Sequence, residues 1–157
     1  MWLRSLAYFA KIFAFFAVRK DLNRKGGKVR TYMDENSLSN LVINRAIKVH
    51  QALGPGLLES SYQECLFYEL GQAGLFVEKE KALPLIYEEV KLECGYRIDI
   101  FVERKLVLEI KAADAIHDMH LAQLLTYLKL SNCKLGLLLN FNVVLMKNGI
   151  RRVVNGL

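Results

Sequence analysis

Two carboxylates and one amine lie in the stretch Gly95 to Lys111, GYRIDIFVERKLVLEIK, at spacings that could hold a metal ion and activate water. Ile98, Ile100 and Val102 alternate with Arg97, Asp99 and Phe101, and Leu106, Leu108 and Ile110 alternate with Val107, Glu109 and Lys111. A period of two is the mark of an extended chain with one apolar face, so each half reads as a strand. Burying both apolar faces together pairs Ile98 with Ile110, Ile100 with Leu108 and Val102 with Leu106, and leaves Glu103-Arg104-Lys105 as the loop. A slip of one residue would set Ile98 and Ile100 beside Lys111 and Glu109, which the hydrophobic pattern forbids. The register therefore places Asp99 opposite Glu109, with Lys111 alongside.

Like charges facing each other on a sheet cost roughly 0.2–1 kcal/mol. A divalent cation between them would convert that cost into binding. Carboxylate oxygens on rigid strands suit Mg²⁺, which completes its shell with water and phosphate oxygens. A lysine two residues beyond one carboxylate could then touch the attacking water or the scissile phosphate. The alternative is a solvated strand face whose charges only keep an edge soluble.

Other elements must hold this hairpin. The periodicity of Leu38, Leu41, Val42, Ile47, Val49 and Leu53 predicts a helix with Ser37 as N-cap, stopped by Gly54 and Pro55. A second helix is expected from about Leu57 to Leu70, with Leu58, Tyr62, Cys65, Leu66 and Leu70 inward and Glu59 in its first turn. There a carboxylate gains about 0.3–1 kcal/mol from the helix dipole without any catalytic role. Phe76 to Val90 includes Pro84 and reads as one or two edge strands with a turn at Glu88-Glu89. After the hairpin a helix is expected from about Ala115 to Leu130, on which Gln123 and Tyr127 are neighbours. That pair could hydrogen-bond a phosphate, the lysine or a nucleotide, or form a polar seam beside the core. His117 and His120 could share a metal or simply be exposed, and His50 reads as a satisfied core or rim histidine. The continuous apolar run KLGLLL, Lys134 to Leu139, predicts a buried strand joined by a crossover, parallel to a hairpin strand. Asn148-Gly149 then turns into a last strand, Ile150 to Val154, whose Arg151 and Arg152 face either a phosphate backbone or solvent.

The chain has 157 residues, 53% hydrophobic and 24% charged, enough for one domain with a real core. Cys65, Cys94 and Cys133 lack metal-ligand or disulfide-framework spacing, which argues for a reducing, cytoplasmic setting. The net charge of +6 is not spread evenly. Residues 1–32 hold eight Lys/Arg and one acid, whereas residues 33–157 hold fourteen bases against fifteen acids, so the basic pI belongs to the leader. That leader, MWLRSLAYFAKIFAFFAV followed by RKDLNRKGGKVR, has an apolar run interrupted by Lys11 and shorter than the ~20 residues that span a bilayer. It lacks an A-x-A-like cleavage site. It reads either as a segment preceding the true start at Met33 or as an aromatic helix lying on the cytoplasmic membrane face. Residues 33–157 are then the single functional domain.

The order of helix, strand with Asp99, strand with Glu109-Ile110-Lys111, helix with Gln123-x-x-x-Tyr127 and strand resembles the PD-(D/E)XK nuclease superfamily. More narrowly, GPGLLESSY, with Gly56-x-x-Glu59-x-x-Tyr62, is similar to the signature of the bacterial GxxExxY proteins. CGYRIDIFVE, LEIKA, AQLLTYLKL and GLLLNFN extend the match over about residues 36–156. Ile98 stands where the superfamily name has proline. The resemblance implies an α/β fold, a mixed central sheet with flanking helices and a restriction-endonuclease-like core. It implies that Asp99, Glu109 and the helix-borne Glu59 hold Mg²⁺ or Mn²⁺, that Lys111 orients or activates water, and that Gln123 and Tyr127 bind substrate. The expected reaction is metal-dependent hydrolysis of phosphodiester bonds in nucleic acid, DNA first, with a homodimer as one way to grip a duplex. A binding module that keeps the fold without turnover is the other reading, and the slightly acidic domain favours it; a membrane-associated interaction protein is a third.

Overall fold

A computed structural model describes residues 33–156. The readings made for residues 1–32 lie outside them. Among the described residues no helix is long and apolar enough to cross a membrane.

Helix α1 (Glu35–Leu53) buries Leu38, Val42, Ala46 and Val49, one side chain per turn. It begins at Glu35, so Ser37 lies inside its first turn and is not the N-cap that the pattern predicts. Gly54, at φ +71°, closes its end by donating its N–H to the His50 carbonyl at 2.8 Å. Helix α2 (Glu59–Gln72) starts later than expected: Leu58 is its extended N-cap residue and 75% exposed, not a core residue. Glu59 thereby becomes the first helical residue.

Strands β1 (Val77–Tyr87) and β2 (Val90–Val102) form a long antiparallel hairpin turned at residues 88–89. Strand β3 (Leu106–Lys111) runs antiparallel to β2 and parallel to β4 (Leu135–Asn140), with helix α3 (Asp118–Ser131) as the crossover. Strand β5 (Ile150–Val154) completes a sheet of order β1-β2-β3-β4-β5, antiparallel to β4. The mixed sheet with flanking helices is the fold expected from the sequence, with β1 at the edge. The turn before β5 is a short 3-10 helix, Met146–Gly149, which ends at the Asn148-Gly149 pair expected to turn the chain.

Strand β3 is buried on both faces, as a central strand joined by a crossover must be. Val107 and Leu138 pack with Leu124, Tyr127 and Leu128 of α3. Gly136 sits under that helix; a Cβ there would stand 2.8 Å from Leu124. The alternate residues Leu106, Leu108, Ile110, Leu137 and Leu139 are buried on the other face, where α1 and α2 pack on the sheet. Arg152 of β5 bonds Asn36 and Ser39 of α1, and Arg151 bonds the Asn148 and Ile150 carbonyls at 2.9 Å each. Both arginines are thus engaged within the fold.

Candidate active site

The site lies where β2 and β3 part. The hairpin register is the expected one for Ile100 with Leu108 and Val102 with Leu106, but the ladder ends there and Ile98 does not pair with Ile110. In place of a backbone partner, the Ile110 N–H donates to Asp99 Oδ2 at 2.7 Å. Ile98 instead joins the cluster of Phe101, Val107 and Leu124, so the alternation predicted for β2 breaks at Asp99. On the neighbouring strand Glu80 has φ +52°, a left-handed backbone at the same level of the hairpin. The sheet forks here, and Asp99 and Glu109 stand at the fork on the α3 side.

Glu109 is 2% exposed. Its Oε1 accepts from Lys111 Nζ at 2.7 Å, while Oε2 has no hydrogen-bond partner among the described residues. A buried carboxylate oxygen left unpaired is costly when charged. Burial first, then the charge of Asp99, push the Glu109 carboxyl up to about 7 against the pull of Lys111. Asp99 is also raised by burial, with the Ile110 N–H and Lys111 opposing, and Glu80 and Glu59 adding negative charge. Burial pulls the Lys111 ammonium down, but its hydrogen bond to Glu109 and the surrounding carboxylates outweigh burial and leave it raised. The amine holds together a pair of carboxylates that repel each other.

Glu59 reaches the same place from α2, where its Oε1 accepts the Ala112 N–H at 3.1 Å, one residue beyond Lys111. The Gly56-x-x-Glu59-x-x-Tyr62 motif has a structural logic. Tyr62 Oη donates to the Gly54 carbonyl at 2.7 Å and accepts from the Leu57 N–H at 3.1 Å, which closes the turn that Gly54 and Gly56 form at positive φ. Its ring stacks on Phe141 at 4.5 Å, and the Phe141 N–H donates to the Lys111 carbonyl at 2.8 Å. The loop that launches Glu59 is thus tied to the end of β3 from both sides.

Gln123 Nε2 donates to Tyr127 Oη at 2.7 Å, so the helix pair forms as expected. Tyr127 is buried over the fork; burial raises its pKa, Gln123 opposes, and Glu109 and Asp99 add to the rise. The structure therefore brings Glu59, Asp99, Glu109, Lys111, Gln123 and Tyr127 to one end of the sheet. The histidines are elsewhere in role: the His117 N–H donates to His120 Nδ1 at 3.3 Å at the start of α3, and His50 Nε2 bonds the Val143 carbonyl at 2.8 Å.

Three residues of the site escaped the sequence reading. Gln63 donates to Glu80 Oε1 at 2.6 Å and to the Asp99 carbonyl at 2.9 Å, bracing the fork. It lies four residues after Glu59, a spacing that puts both on one helix face and could have revealed it. Glu80 adds a carboxylate from β1, with no local signal beyond strand alternation. Asn140, one residue past the apolar run Lys134 to Leu139, is buried; its amide accepts the Ala113 and Asn142 N–H groups at 3.1 and 3.2 Å and donates to the Ala113 carbonyl at 2.8 Å. It fixes the loop that follows Lys111.

A model of the PD-(D/E)XK nuclease superfamily matches residues 36–153. The chain belongs to the PD-(D/E)XK nuclease superfamily. Membership implies nucleic acid as the partner. No curated protein and no solved structure matches the chain.

The donor set suits a hard divalent cation: the unpartnered Glu109 Oε2 is buried beside Asp99, and Mg²⁺ commonly takes only one or two carboxylates. Among the described residues no three Asp, Glu, His or Cys side chains converge as one metal cluster. Glu59 therefore does not complete a preassembled three-carboxylate set; it contributes charge at the rim while held by Ala112.

Proposed function

We propose that this nuclease-superfamily chain hydrolyses phosphodiester bonds in nucleic acid, DNA first, with Mg²⁺ or Mn²⁺ held by Asp99 and Glu109 and assisted by Glu59. The observation that carries this reading is buried Glu109 beside half-buried Asp99 at the strand fork, with Glu109 Oε2 unpaired among the described residues and Lys111 bonded to Oε1. When bound, the ion would supply a polarised water and neutralise charge that builds on the phosphate. Lys111, held on Glu109 Oε1, would orient the nucleophile and offer its positive charge to the phosphate oxygens. Gln123 and Tyr127 present an amide and a phenol to the substrate over the fork. Gly56, Glu59 and Tyr62 support placing the chain in the GxxExxY branch.

The test is cleavage of labelled single- and double-stranded DNA and RNA by the full chain with Mg²⁺ or Mn²⁺, beside Asp99→Ala and Lys111→Ala. Metal-dependent cleavage lost in both variants is expected. Equal cleavage by all three would mean contamination, and binding without cleavage by wild type would make the domain a binding module.

A further inference from the structure

Helix α3 carries a row of polar groups that the Gln123–Tyr127 pair only begins. At about 100° per residue, His120, Gln123 and Tyr127 fall within about 60° of arc along one face of the helix. Tyr127 feels the charges of Glu109, Asp99 and Lys111 at the fork; Gln123 is bonded to it at 2.7 Å, and His120 comes next. The row starts at the Lys111 end of the sheet, because the loop of residues 112–117 leads from β3 straight into α3 and is held by Asn140. His120 is half-buried, and the capping bond described above uses its Nδ1 alone. That atom accepts the His117 N–H at 3.3 Å, which puts the imidazole proton on Nε2. The His117 ring packs edge-on against it, with centroids 5.6 Å apart. Nε2 has no hydrogen-bond partner among the described residues and is not one of their buried unpartnered atoms, so its N–H faces solvent. Asp118, two residues earlier, lies on the opposite side of the helix.

We infer that His120 is a further substrate-binding residue, whose Nε2–H takes a non-bridging oxygen of a phosphate neighbouring the scissile one. The inference rests on the proposed nucleic-acid substrate and adds a residue that grips it. Seven residues of helix rise about 10 Å, while a strand advances about 3.4 Å per nucleotide along a duplex. A donor at the far end of the row therefore reaches past the phosphate that Tyr127 and Gln123 would meet. The chain beyond residue 32 has fourteen bases against fifteen acids, and Lys111 is tied to Glu109, so a strand drawn to the carboxylates meets little free positive charge. Donors fixed on a rigid helix face answer that need, and His120 stands in the first turn, where the helix dipole also favours an anion.

The test uses the full chain, whose three histidines make imidazole NMR resolvable, labelled with ¹⁵N-histidine and titrated with short DNA and RNA oligonucleotides in EDTA and then with Mg²⁺. The His120 Nε2 resonance, assigned by its loss in His120→Gln, should shift on binding, with His50 Nε2 on the Val143 carbonyl as the internal control. In cleavage assays His120→Glu should raise KM about tenfold, the loss falling on KM rather than kcat. His120→Gln keeps both an acceptor for the His117 N–H and an outward N–H, and should recover most of that loss. Glutamate at this position completes a capping box and suits the helix dipole, so thermal melts should show His120→Glu no less stable than wild type. A purely structural histidine would therefore leave His120→Glu fully active. No shift of the His120 resonance under either condition, or an unmoved KM in His120→Glu, overturns the contact while leaving the nuclease reading standing. A His120 shift in a chain that cleaves nothing with Mg²⁺ supports the contact and sinks the nuclease reading.

Discussion

Replacing Glu109 with glutamine should abolish metal-dependent activity and at the same time stabilise the metal-free protein at neutral and alkaline pH. The reason is the burial of Glu109 beside a second carboxylate, which pushes its pKa from 4.5 to about 7. An acid whose folded-state pKa is raised contributes full stability below the unfolded value, and that stability is lost as pH climbs through the folded value. At about 1.4 kcal/mol per pH unit, the shift from 4.5 to about 7 corresponds to a loss on the order of 3 kcal/mol between pH 4.5 and pH 8. A glutamine keeps an acceptor for Lys111 and turns its amide toward Asp99, but it gives up the attraction between Lys111 and a full charge. The net gain at pH 8 is then about 1–3 kcal/mol, or roughly 2–12 °C in Tm for a domain of this size. The assay is thermal or urea unfolding of wild type and Glu109→Gln in EDTA at pH 5 and pH 8. At pH 5 the wild-type carboxyl is itself mostly neutral, so the two curves should nearly coincide. A variant less stable than wild type at pH 8, or a difference that ignores pH, would refute the argument that this carboxylate is held under strain.

Further outcomes follow from the same contacts. Mg²⁺ at millimolar concentration should raise the wild-type Tm at pH 8, where Glu109 is ionised, more than at pH 5, and should leave Glu109→Gln unmoved, as read by melts across a metal titration. Tyr62→Phe keeps the ring on Phe141 but loses the bonds to Gly54 and Leu57, costing about 1–2 kcal/mol in unfolding free energy. Its additional loss of cleavage rate should vanish in a Glu59→Gln background, because Tyr62 acts through the loop that launches Glu59. Gly149→Ala would set a Cβ 2.0 Å from the Asn140 carbonyl oxygen, so urea melts should show a loss of about 3 kcal/mol or more. It should also lower activity, since Asn140 anchors the loop after Lys111.

The sequence was read most successfully where the signal is local. Period-two alternation fixed the β2–β3 register at Ile100 and Val102, and the run Lys134 to Leu139 marked a buried parallel strand, because one- and two-face burial leave different patterns in the chain. The pattern misjudged boundaries: α1 begins before Ser37 and α2 after Leu58, since neither apolar spacing nor capping residues decide how a loop packs.

The chain itself determined which groups are available: two acids and a lysine on neighbouring strands, a third acid at a helix start, and an amide and phenol one turn apart. Only the folded structure decided that β2 leaves the ladder at Asp99, that Asp99 takes the Ile110 N–H, and that Glu109 is buried with one oxygen unpaired. Gln63, Glu80 and Asn140 joined the site through contacts across 17 to 36 residues, which no local pattern records. Spacing along a strand sets which face a side chain takes, whereas its burial, and with it the pKa that governs its chemistry, depends on what remote segments pack over that face.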